Sequence, residues 1–346
     1  MNKKDKIVVG ISIGDINGVG IEVILKTFED KRMLDFCTPL LFGSSKVIAA
    51  HKKILNIETH IHDIKSIDQI KEGQINLLNI WDEEVTLELG NATKTGGQYA
   101  FKSLNEATKA LKKGEIDLLI TAPINKETIQ SEEFNFSGHT EFLEHNLEGE
   151  SLMILMNGFL RIGLITGHIP ISKIAESITP ELIESKVKIL NNSLKQDFNI
   201  NKPKIAVLGL NPHSGDNGVI GQEENELIKP TIQSIHEKDI FVYGPYAADG
   251  FFGSEAYKQF DGVLAMYHDQ GLAPFKALTF GNGVNFTAGL SHVRTSPDHG
   301  TAFDIAGKGK ANSDSFKEAL FTGIKIFKNR KEYKELTQNV LKPKKQ

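Results

Sequence analysis

Apolar residues along the chain follow two alternating patterns. Short runs rich in Val, Ile and Leu indicate buried strands, and the segments between them carry apolar residues at the spacing of one helix face. The first half predicts strands at Ile7–Ile13, Pro39–Gly43, Ile75–Ile80 and Asp117–Ala122, with helices from Glu22, at Lys46–Ile54 and at Gly96–Lys112. This alternation predicts an α/β fold with a parallel, doubly wound sheet.

The pattern changes after Leu152, where two apolar runs meet at Asn157-Gly158, a dipeptide typical of a hairpin turn. We interpret this change as the start of a second lobe, so that two α/β lobes share a cleft. The later predicted elements are helices at Thr179–Phe198, Gln222–Lys238 and Ser315–Arg330, strands at Ile240–Tyr243 and Gly262–Met266, and a loop at Ser291–Asn312.

Three apolar runs each end in a histidine: Arg161–His168, Lys204–His213 and the run from Asp261 to His268. If the three strands share one sheet, their carboxyl ends bring three imidazoles to one edge, where ligands bind in open α/β sheets. Three imidazoles are a donor set for a divalent metal with open positions for substrate. The alternative is that each histidine is a hydrogen-bonded surface residue, and spacing alone leaves both interpretations open.

Other polar residues stand at predicted helix starts and loops. The loop Gly14–Gly20 follows a strand and precedes a helix, but its spacing is not that of a dinucleotide fingerprint. His139 precedes a helix start, where anions are favoured, and Thr140 is predicted as the N-cap. Asp249 is predicted either to cap the following helix or to face the cleft.

Composition excludes several classes of protein. The chain has 346 residues, is 40% hydrophobic and carries a net charge of −4, so a dominating basic field for nucleic acid is absent. No apolar stretch approaches the roughly 20 residues of a membrane helix. The single cysteine, Cys37, cannot form an intramolecular disulfide and is interpreted as core packing. We expect a cytoplasmic protein.

Blocks spread over nearly the whole chain resemble one known family. They are GDINGVGIE at 14–22, TAPINKE at 121–127, GHTEFL at 138–143, TGHIP at 166–170, GLNPHSGDNGVIGQEE at 209–224, GPYAADGFF at 244–252, YHDQGLAPFK at 267–276 and GVNFTAGLSHVRTSPDHGTAFDIAGKG at 283–309. Together they resemble the 4-hydroxythreonine-4-phosphate dehydrogenase family of pyridoxal-phosphate (vitamin B6) biosynthesis. The resemblance implies an isocitrate/isopropylmalate dehydrogenase-like fold, a homodimer with its active site at the interface, and a divalent metal, zinc, magnesium or cobalt.

The resemblance also implies site residues. It makes His168, His213 and His268 the metal ligands, and it matches the substrate contacts to His139, Thr140, Lys276, Asn285 and Arg294. Lys276 and Arg294 would supply positive charge for phosphate or carboxylate. Asp249, Asp269 and Lys276 are the catalytic candidates; the aspartates would orient a ligand histidine, relay a proton or merely cap a helix.

One segment, HGTAFDIAGKGKAN at 299–312, is similar to the loop that holds the adenosine end of the nicotinamide cofactor in isopropylmalate and isocitrate dehydrogenases. The resemblance implies that His299, Gly300, Thr301, Asp304 and Asn312 bind NAD or NADP. Phe303 stands where that pattern has proline. Likewise, Ile16-Asn17 stands where the family pattern has Pro-Ala, and Ser291-His292-Val293 replaces the usual residues before Arg294.

The predicted activity is the NAD(P)- and metal-dependent oxidation of 4-phosphooxy-L-threonine to 2-amino-3-oxo-4-phosphooxybutanoate, which decarboxylates to 3-amino-2-oxopropyl phosphate. Two alternatives stay open: a related enzyme that oxidises threonate or erythronate phosphate, and a three-histidine metal hydrolase that would need no nicotinamide. Residues 1–140 with 300–346 are predicted to form the lobe with the cofactor loop. Residues 141–299 are predicted to carry the metal ligands and the dimer interface.

Overall fold

The computed structural model describes residues 6–279, 281 and 283–339. The strands are β1 Val8–Ser12, β2 Thr38–Gly43, β3 Ile61–Ile64, β4 Ile75–Asn79, β5 Leu118–Thr121, β6 Gly149–Met156, β7 Arg161–Leu164, β8 Ile205–Leu208, β9 Val242–Tyr246, β10 Gly262–Ala265, β11 Val284–Leu290 and β12 Val293–Pro297. The α-helices are α1 Gly20–Glu29, α2 Ser45–Leu55, α3 Lys94–Lys112, α4 His139–Asn146, α5 Ile174–Ser177, α6 Pro180–Gln196, α7 Lys229–His236, α8 Ala248–Gly253, α9 His268–Thr279 and α10 Asp314–Thr337. The predicted α/β fold is confirmed.

The chain divides into two compact units, Met1–Gly149 with Gly281–Ile324 and Glu150–Phe280 with Lys325–Gln346. These are groupings of contacts, and the predicted domain division at 140/141 and 299/300 stays a prediction. Among the helices of the described residues, none combines the length and the apolar character needed to cross a membrane.

The first unit is built on strands in the order β3-β4-β2-β1-β5-β12-β11. All neighbours pair in parallel except β11 and β12, which are antiparallel. Helix α3 packs on this sheet through Ala100, Leu104, Ala107 and Leu111, which recur at helical spacing and are buried in the same core as Phe42. Because the central strands β1, β5 and β12 are parallel, their carboxyl ends lie at the same edge of this sheet.

The second unit has the strand order β6-β7-β10-β8-β9, in which only the β6–β7 hairpin is antiparallel. The predicted hairpin turn is confirmed, because Asn157 accepts hydrogen bonds from the backbone N–H groups of Phe159 and Leu160. The predicted start of α6 is also confirmed: Pro180 is its first residue, and the Thr179 hydroxyl accepts from the Leu182 N–H at 3.2 Å.

Two local predictions are wrong. The predicted loop Ser291–Asn312 contains strand β12, whose polar residues are buried between β5 and β11. Thr140 is not the N-cap of α4, because the helix already begins at His139 and Gly138 takes the cap position. Of the two roles left open for Asp249, capping α8 is not observed, because Asp249 lies in the first turn, one residue after Ala248.

Cys37 and Trp81 are two buried side chains of the first unit. Cys37 is free and fully buried, as predicted, and burial raises its thiol pKa to about 12, so it has little nucleophilic character. Trp81, the only tryptophan of the chain, is 4% exposed. Its ring lies 4.7 Å from that of Tyr99, and the ammonium of Lys102 lies 5.6 Å above it.

Candidate active site

In the second unit, the three strands that precede the histidines in sequence are neighbours in one parallel sheet, in the order β7-β10-β8. Their carboxyl ends are tied together by side chains. The Thr166 hydroxyl donates to the Met266 carbonyl at 2.6 Å, and the Gln270 amide donates to the Gly209 carbonyl at 2.6 Å. These bonds join the segments that lead from the strands to the histidines.

Two of the three imidazoles lie close together. The ring centroids of His168 and His268 are 5.4 Å apart. His268 is the first residue of α9, and its Nδ1 lies 2.7 Å from a carboxylate oxygen of Asp269. That contact fixes the ring orientation and leaves Nε2 as the atom that faces away from the carboxylate.

His213 lies on an exposed loop with an unusual backbone. Every residue from 213 to 217 has a positive φ, and His213 itself has φ 52° and ψ 26°. Such left-handed conformations in non-glycine residues cost free energy and cluster at functional loops. Buried Glu224 anchors the loop by accepting hydrogen bonds at 2.7 Å from the backbone N–H groups of Leu210 and Asn211.

Within the residues the structure describes, no group of three or more His, Cys, Asp or Glu side chains is placed to hold a metal ion. The paired imidazoles and Asp269 are therefore an incomplete donor set. Of the other candidates in this unit, Lys276 is exposed in the last turn of α9, and Asp249 is exposed on α8.

In the first unit, Arg294 is the central residue of the candidate site. Its side chain extends from β12 and is only 2% exposed. Its Nε and Nη2 donate to the Thr121 hydroxyl at 3.0 and 2.5 Å, and Nη1 donates to the Thr287 hydroxyl at 3.2 Å. Burial lowers its pKa to about 9, so the guanidinium is still charged at neutral pH. The charge of the Glu141 carboxylate acts in the opposite direction, so the cation already has one nearby anion. Its hydrogen bonds to Thr121 and Thr287 go to neutral hydroxyls, which leaves it able to bind a further anionic group.

His139 lies close enough to Arg294 for the two to interact electrostatically. Burial, with the positive charges of Arg294 and Lys126, holds the pKa of His139 well below its ordinary value of 6.5, so the imidazole is neutral. Its Nε2 is buried and has no hydrogen-bond partner among the described residues. Thr140 follows in the first turn of α4.

Asn285 lies on the same face of the sheet as Arg294. In the antiparallel β11–β12 pair, Asn285 is opposite Ser296 and Phe286 is opposite Thr295. Because side chains alternate along a strand, Asn285 and Thr287 share the face of Arg294. The Asn285 amide oxygen is buried without a hydrogen-bond partner in the described structure. This face thus offers a charged donor and an amide, and the neutral imidazole of His139 interacts electrostatically with Arg294.

The predicted cofactor segment is also in the first unit. The Nε2 of His299 is buried without a partner among the described residues. Ala302 has a left-handed backbone with φ 44°.

The Glu22 carboxylate and the Lys26 ammonium of α1 bind the backbone of Ala311 at 2.9 and 2.8 Å. Asn312 accepts a hydrogen bond from the Asp314 N–H at the start of α10. Gly300, Thr301 and Asp304 belong to the same segment.

Sequence reasoning did not single out Thr121, Thr287 and Lys126, which surround Arg294 and His139. Thr121 and Lys126 belong to the block TAPINKE, and Thr287 belongs to the block that starts at Gly283. Their importance follows from burial and pairing, which the sequence pattern does not specify.

Both units are built on largely parallel sheets, and polar side chains lie near the ends of their strands. This arrangement is typical of an α/β enzyme. Comparison with known proteins makes this specific. The profile of the family described as "Pyridoxal phosphate biosynthetic protein PdxA" matches residues 35–322. The chain belongs to this family and is an oxidoreductase.

The relatives span the chain almost completely. The 4-hydroxythreonine-4-phosphate dehydrogenase of Bacteroides thetaiotaomicron is 52% identical over 342 residues, 98% of this chain and 94% of the relative. A protein of Oceanobacillus iheyensis, provisionally named D-threonate 4-phosphate dehydrogenase, is 35% identical and covers 94% of this chain and 99% of its own. The crystal structure of the 4-hydroxythreonine-4-phosphate dehydrogenase from Klebsiella pneumoniae has a TM-score of 0.80 at 31% identity, over 94% of this chain and 99% of that chain.

Proposed function

We propose that this enzyme catalyses the NAD(P)- and divalent-metal-dependent oxidation of 4-phosphooxy-L-threonine. The product, 2-amino-3-oxo-4-phosphooxybutanoate, would lose carbon dioxide to give 3-amino-2-oxopropyl phosphate in pyridoxal 5'-phosphate biosynthesis. The name of the relative that is 52% identical supports this substrate. The observation that carries the proposal is the buried guanidinium of Arg294, beside the unpartnered polar atoms of His139 and Asn285.

These groups match an anionic substrate chemically. Arg294 would bind a phosphate or carboxylate oxygen through charge-assisted hydrogen bonds. Neutral His139 would contribute Nε2, as donor or acceptor according to its tautomer, and Asn285 would accept a hydrogen bond from a hydroxyl or ammonium group. Thr140, beside His139, is proposed as a further substrate contact. Lys276 would supply a second positive charge or a proton-transfer group.

The donor chemistry of the second unit fits a divalent cation. His168 and His268 would contribute two imidazoles, and we propose His213 as the third ligand. The metal would supply positive charge that lowers the pKa of the substrate hydroxyl. Asp269 would hold the His268 ring in place, and Asp249 would contribute a carboxylate for orientation or proton transfer.

The segment 299–312 fits a nicotinamide cofactor, because His299 has a buried ring nitrogen without a partner among the described residues. His299, Gly300, Thr301, Asp304 and Asn312 would hold it. Bound NAD or NADP would supply the hydride acceptor. The hydrolase alternative does not fit a chain that is an oxidoreductase by family.

We propose a cytoplasmic homodimer with the site at its interface. Ile171 and Val219, which follow His168 and His213 in sequence, are 81% and 82% exposed in the single chain. Large apolar side chains exposed this far are costly in water and mark interaction surfaces. Their position beside two predicted metal ligands supports a partner subunit that covers this region.

One assay tests the proposed activity. NADH or NADPH formation would be followed with 4-phosphooxy-L-threonine and with 4-phospho-D-threonate or 4-phospho-D-erythronate, each with and without a chelator. We expect the highest kcat/KM for 4-phosphooxy-L-threonine and loss of activity with the chelator. Turnover unaffected by chelator would reject the metal, and failure to reduce either cofactor with every substrate would reject the function.

A phosphorylated sugar acid is the second candidate substrate. The similarity to the provisionally named D-threonate 4-phosphate dehydrogenase favours it. The two substrates differ at the group on the carbon next to the carboxylate. A kcat/KM that is higher for 4-phospho-D-threonate or 4-phospho-D-erythronate would assign the enzyme to that reaction instead.

A further inference from the structure

Asn17 uses every one of its hydrogen-bonding groups, although it is only 1% exposed. Its backbone N–H donates to Asp15 Oδ1 at 2.9 Å, and its carbonyl accepts from the Gly90 N–H at 2.9 Å. Its side-chain oxygen accepts from the Glu88 N–H at 2.8 Å, and its side-chain nitrogen donates to the Thr93 hydroxyl at 3.0 Å. A single residue therefore joins the turn 88–90 and the start of α3 to the loop 14–20, and its side chain makes the bonds to Glu88 and Thr93.

The two segments that Asn17 joins both touch the segment 299–312. Val19 N–H donates to the Thr301 carbonyl at 3.0 Å. A Cβ added to Gly18 would lie 2.9 Å from the Thr301 carbonyl oxygen, and one added to Gly90 would lie 3.0 Å from that of Phe303. The loop 14–20 and the turn 88–90 thus form a seat for residues 301–303. The backbone at Ala302 is left-handed, so its conformation depends on such external support.

The sequence differences of this chain fall in the same place. Asn17 stands where the family pattern has alanine, and Phe303 stands where the cofactor-loop pattern has proline. An alanine at position 17 could make the two backbone bonds but neither side-chain bond. A non-proline residue at position 303 lacks the fixed φ of proline, so the loop gains conformational freedom that the seat can restrict.

We propose that Asn17 is a positioning residue for the nicotinamide cofactor: it holds the turn 88–90 against the segment 301–303 so that this segment keeps its binding conformation. This inference rests on the proposed cofactor role of the segment 299–312. Asn17 touches no cofactor atom in this account and acts through Thr301 and Phe303. Without it, cofactor binding must order the segment, and that ordering lowers affinity.

The test compares Asn17→Ala with Asn76→Ala. Asn76 is an equally buried asparagine of the same unit, but it binds Lys71, Gln74 and Pro39 near the amino ends of β2 and β4. Both variants replace the side-chain amide of a buried asparagine with a methyl group. For each, the Kd for NADH is measured by calorimetry, the KM for NAD and for the phosphorylated substrate by steady-state kinetics, and stability by urea unfolding.

We expect Asn17→Ala to raise the Kd for NADH and the KM for NAD about tenfold, because two hydrogen bonds of ordinary strength are lost. The kcat and the KM for the phosphorylated substrate should change less than about twofold. Asn76→Ala should lower stability without changing the Kd for NADH. If the wild type uses NADP, NADPH replaces NADH throughout.

An unchanged Kd in a folded Asn17→Ala protein would overturn the inference and leave Asn17 a structural residue only. If Asn17→Ala does not fold, Glu88→Pro removes the N–H that Asn17 accepts, from an exposed position, and should raise the Kd in the same direction; no rise would overturn the inference. A wild-type protein that binds neither NADH nor NADPH would overturn the proposed function and this inference together.

Discussion

Arg294 illustrates how one residue can combine a structural cost with a binding function. The hydroxyls of Thr121 and Thr287 and the nearby charge of Glu141 do not recover the hydration that the buried guanidinium loses, and its lowered pKa reflects that loss. An anionic ligand would restore the lost interactions. The burial of this side chain is therefore better explained by a binding site than by packing in a hydrophobic core.

Replacing Arg294 with alanine should raise the KM for the phosphorylated substrate about 10- to 100-fold, because charge-assisted hydrogen bonds in the ground state are lost. Steady-state kinetics at saturating cofactor would measure it. Arg294→Lys keeps the charge without the two-pronged geometry and should fall between the wild type and alanine. A change confined to the KM for NAD would contradict the assignment.

Asp15 is a second buried charge, 1% exposed, in the loop that follows β1. Its Oδ1 accepts from the Asn17 N–H, while its Oδ2 has no hydrogen-bond partner in the described residues. Burial raises its pKa from 3.8 to about 6, although the bond from Asn17 acts in the opposite direction. The folded state therefore binds a proton that the unfolded state releases between these two pH values.

The sign of the stability effect follows from this difference. Between pH 4 and 6 the folded state holds more protons at Asp15, so its contribution to stability falls as the pH rises, by about 2 to 3 kcal/mol in total. Asp15→Asn cannot ionise and should lack this decline. Urea unfolding at pH 4.5 and 7.5 would measure it; the expected result is that the variant gains stability relative to the wild type at the higher pH. An identical pH dependence in both proteins would contradict the shifted pKa.

At the scale of elements, α6 and α10 are joined by a buried carboxylate. Asp197, which follows α6, is fully buried, and Arg330 of α10 donates to it through Nε and Nη2. The Ser193 hydroxyl donates to the same carboxylate, and the Asn329 amide donates to the Asp197 carbonyl. The pair orients the second half of α10 within its unit.

Arg330→Ala should cost about 3 to 5 kcal/mol of unfolding free energy, because it leaves a buried carboxylate without its cation. Lys328→Ala removes a charge of the same sign from an exposed position of the same helix and should change stability by about 0.5 kcal/mol or less. Urea unfolding followed by circular dichroism measures both. Adding Asp197→Asn to the Arg330→Ala protein should recover part of the loss; equal effects of Arg330→Ala and Lys328→Ala would reject a stabilising pair.

Hydrophobic periodicity predicted most helices and strands, because buried strands and amphipathic helices differ in period. It failed at β12, where Arg294, Thr295 and Ser296 give a polar sequence to a buried strand. Those side chains are buried because they find partners on β5, β11 and α10, which lie far away in sequence. Strand β3 also went unpredicted, since its four residues include His62 and Asp63 and lie at the sheet edge.

The sequence also predicted part of the candidate site. Three similar runs predicted that β7, β8 and β10 share one sheet, and their order β7-β10-β8 agrees with this. The role of the three histidines as ligands of one metal stays a prediction. The role of Asn17 could not be predicted, because it depends on contacts with Glu88, Gly90 and Thr93 that no local pattern encodes. The start of α4 was misjudged by two residues, since Gly138 rather than Thr140 takes the cap position.

At the scale of the whole molecule, the proposed dimer can be tested through its apolar surface. The double variant Ile171→Asp, Val219→Asp places two charges where a partner would bury apolar side chains, and burying unpaired charges is strongly unfavourable. We expect a monomer by light scattering, with loss of metal-dependent activity. Ile54→Asp, which replaces an exposed apolar residue of α2, is the control and should stay dimeric and active. A dimeric, active double variant would place the interface elsewhere.

Because Trp81 is the only tryptophan of the chain, tryptophan fluorescence of this enzyme reports on one region alone. Its emission would register the loosening of the first unit, where the Tyr99 ring and the Lys102 ammonium surround it. The Asp197–Arg330 pair belongs to the other unit and has no tryptophan of its own to report on it. Recording emission and ellipticity on the same sample would therefore give a separate denaturation curve for the first unit beside one for the entire chain.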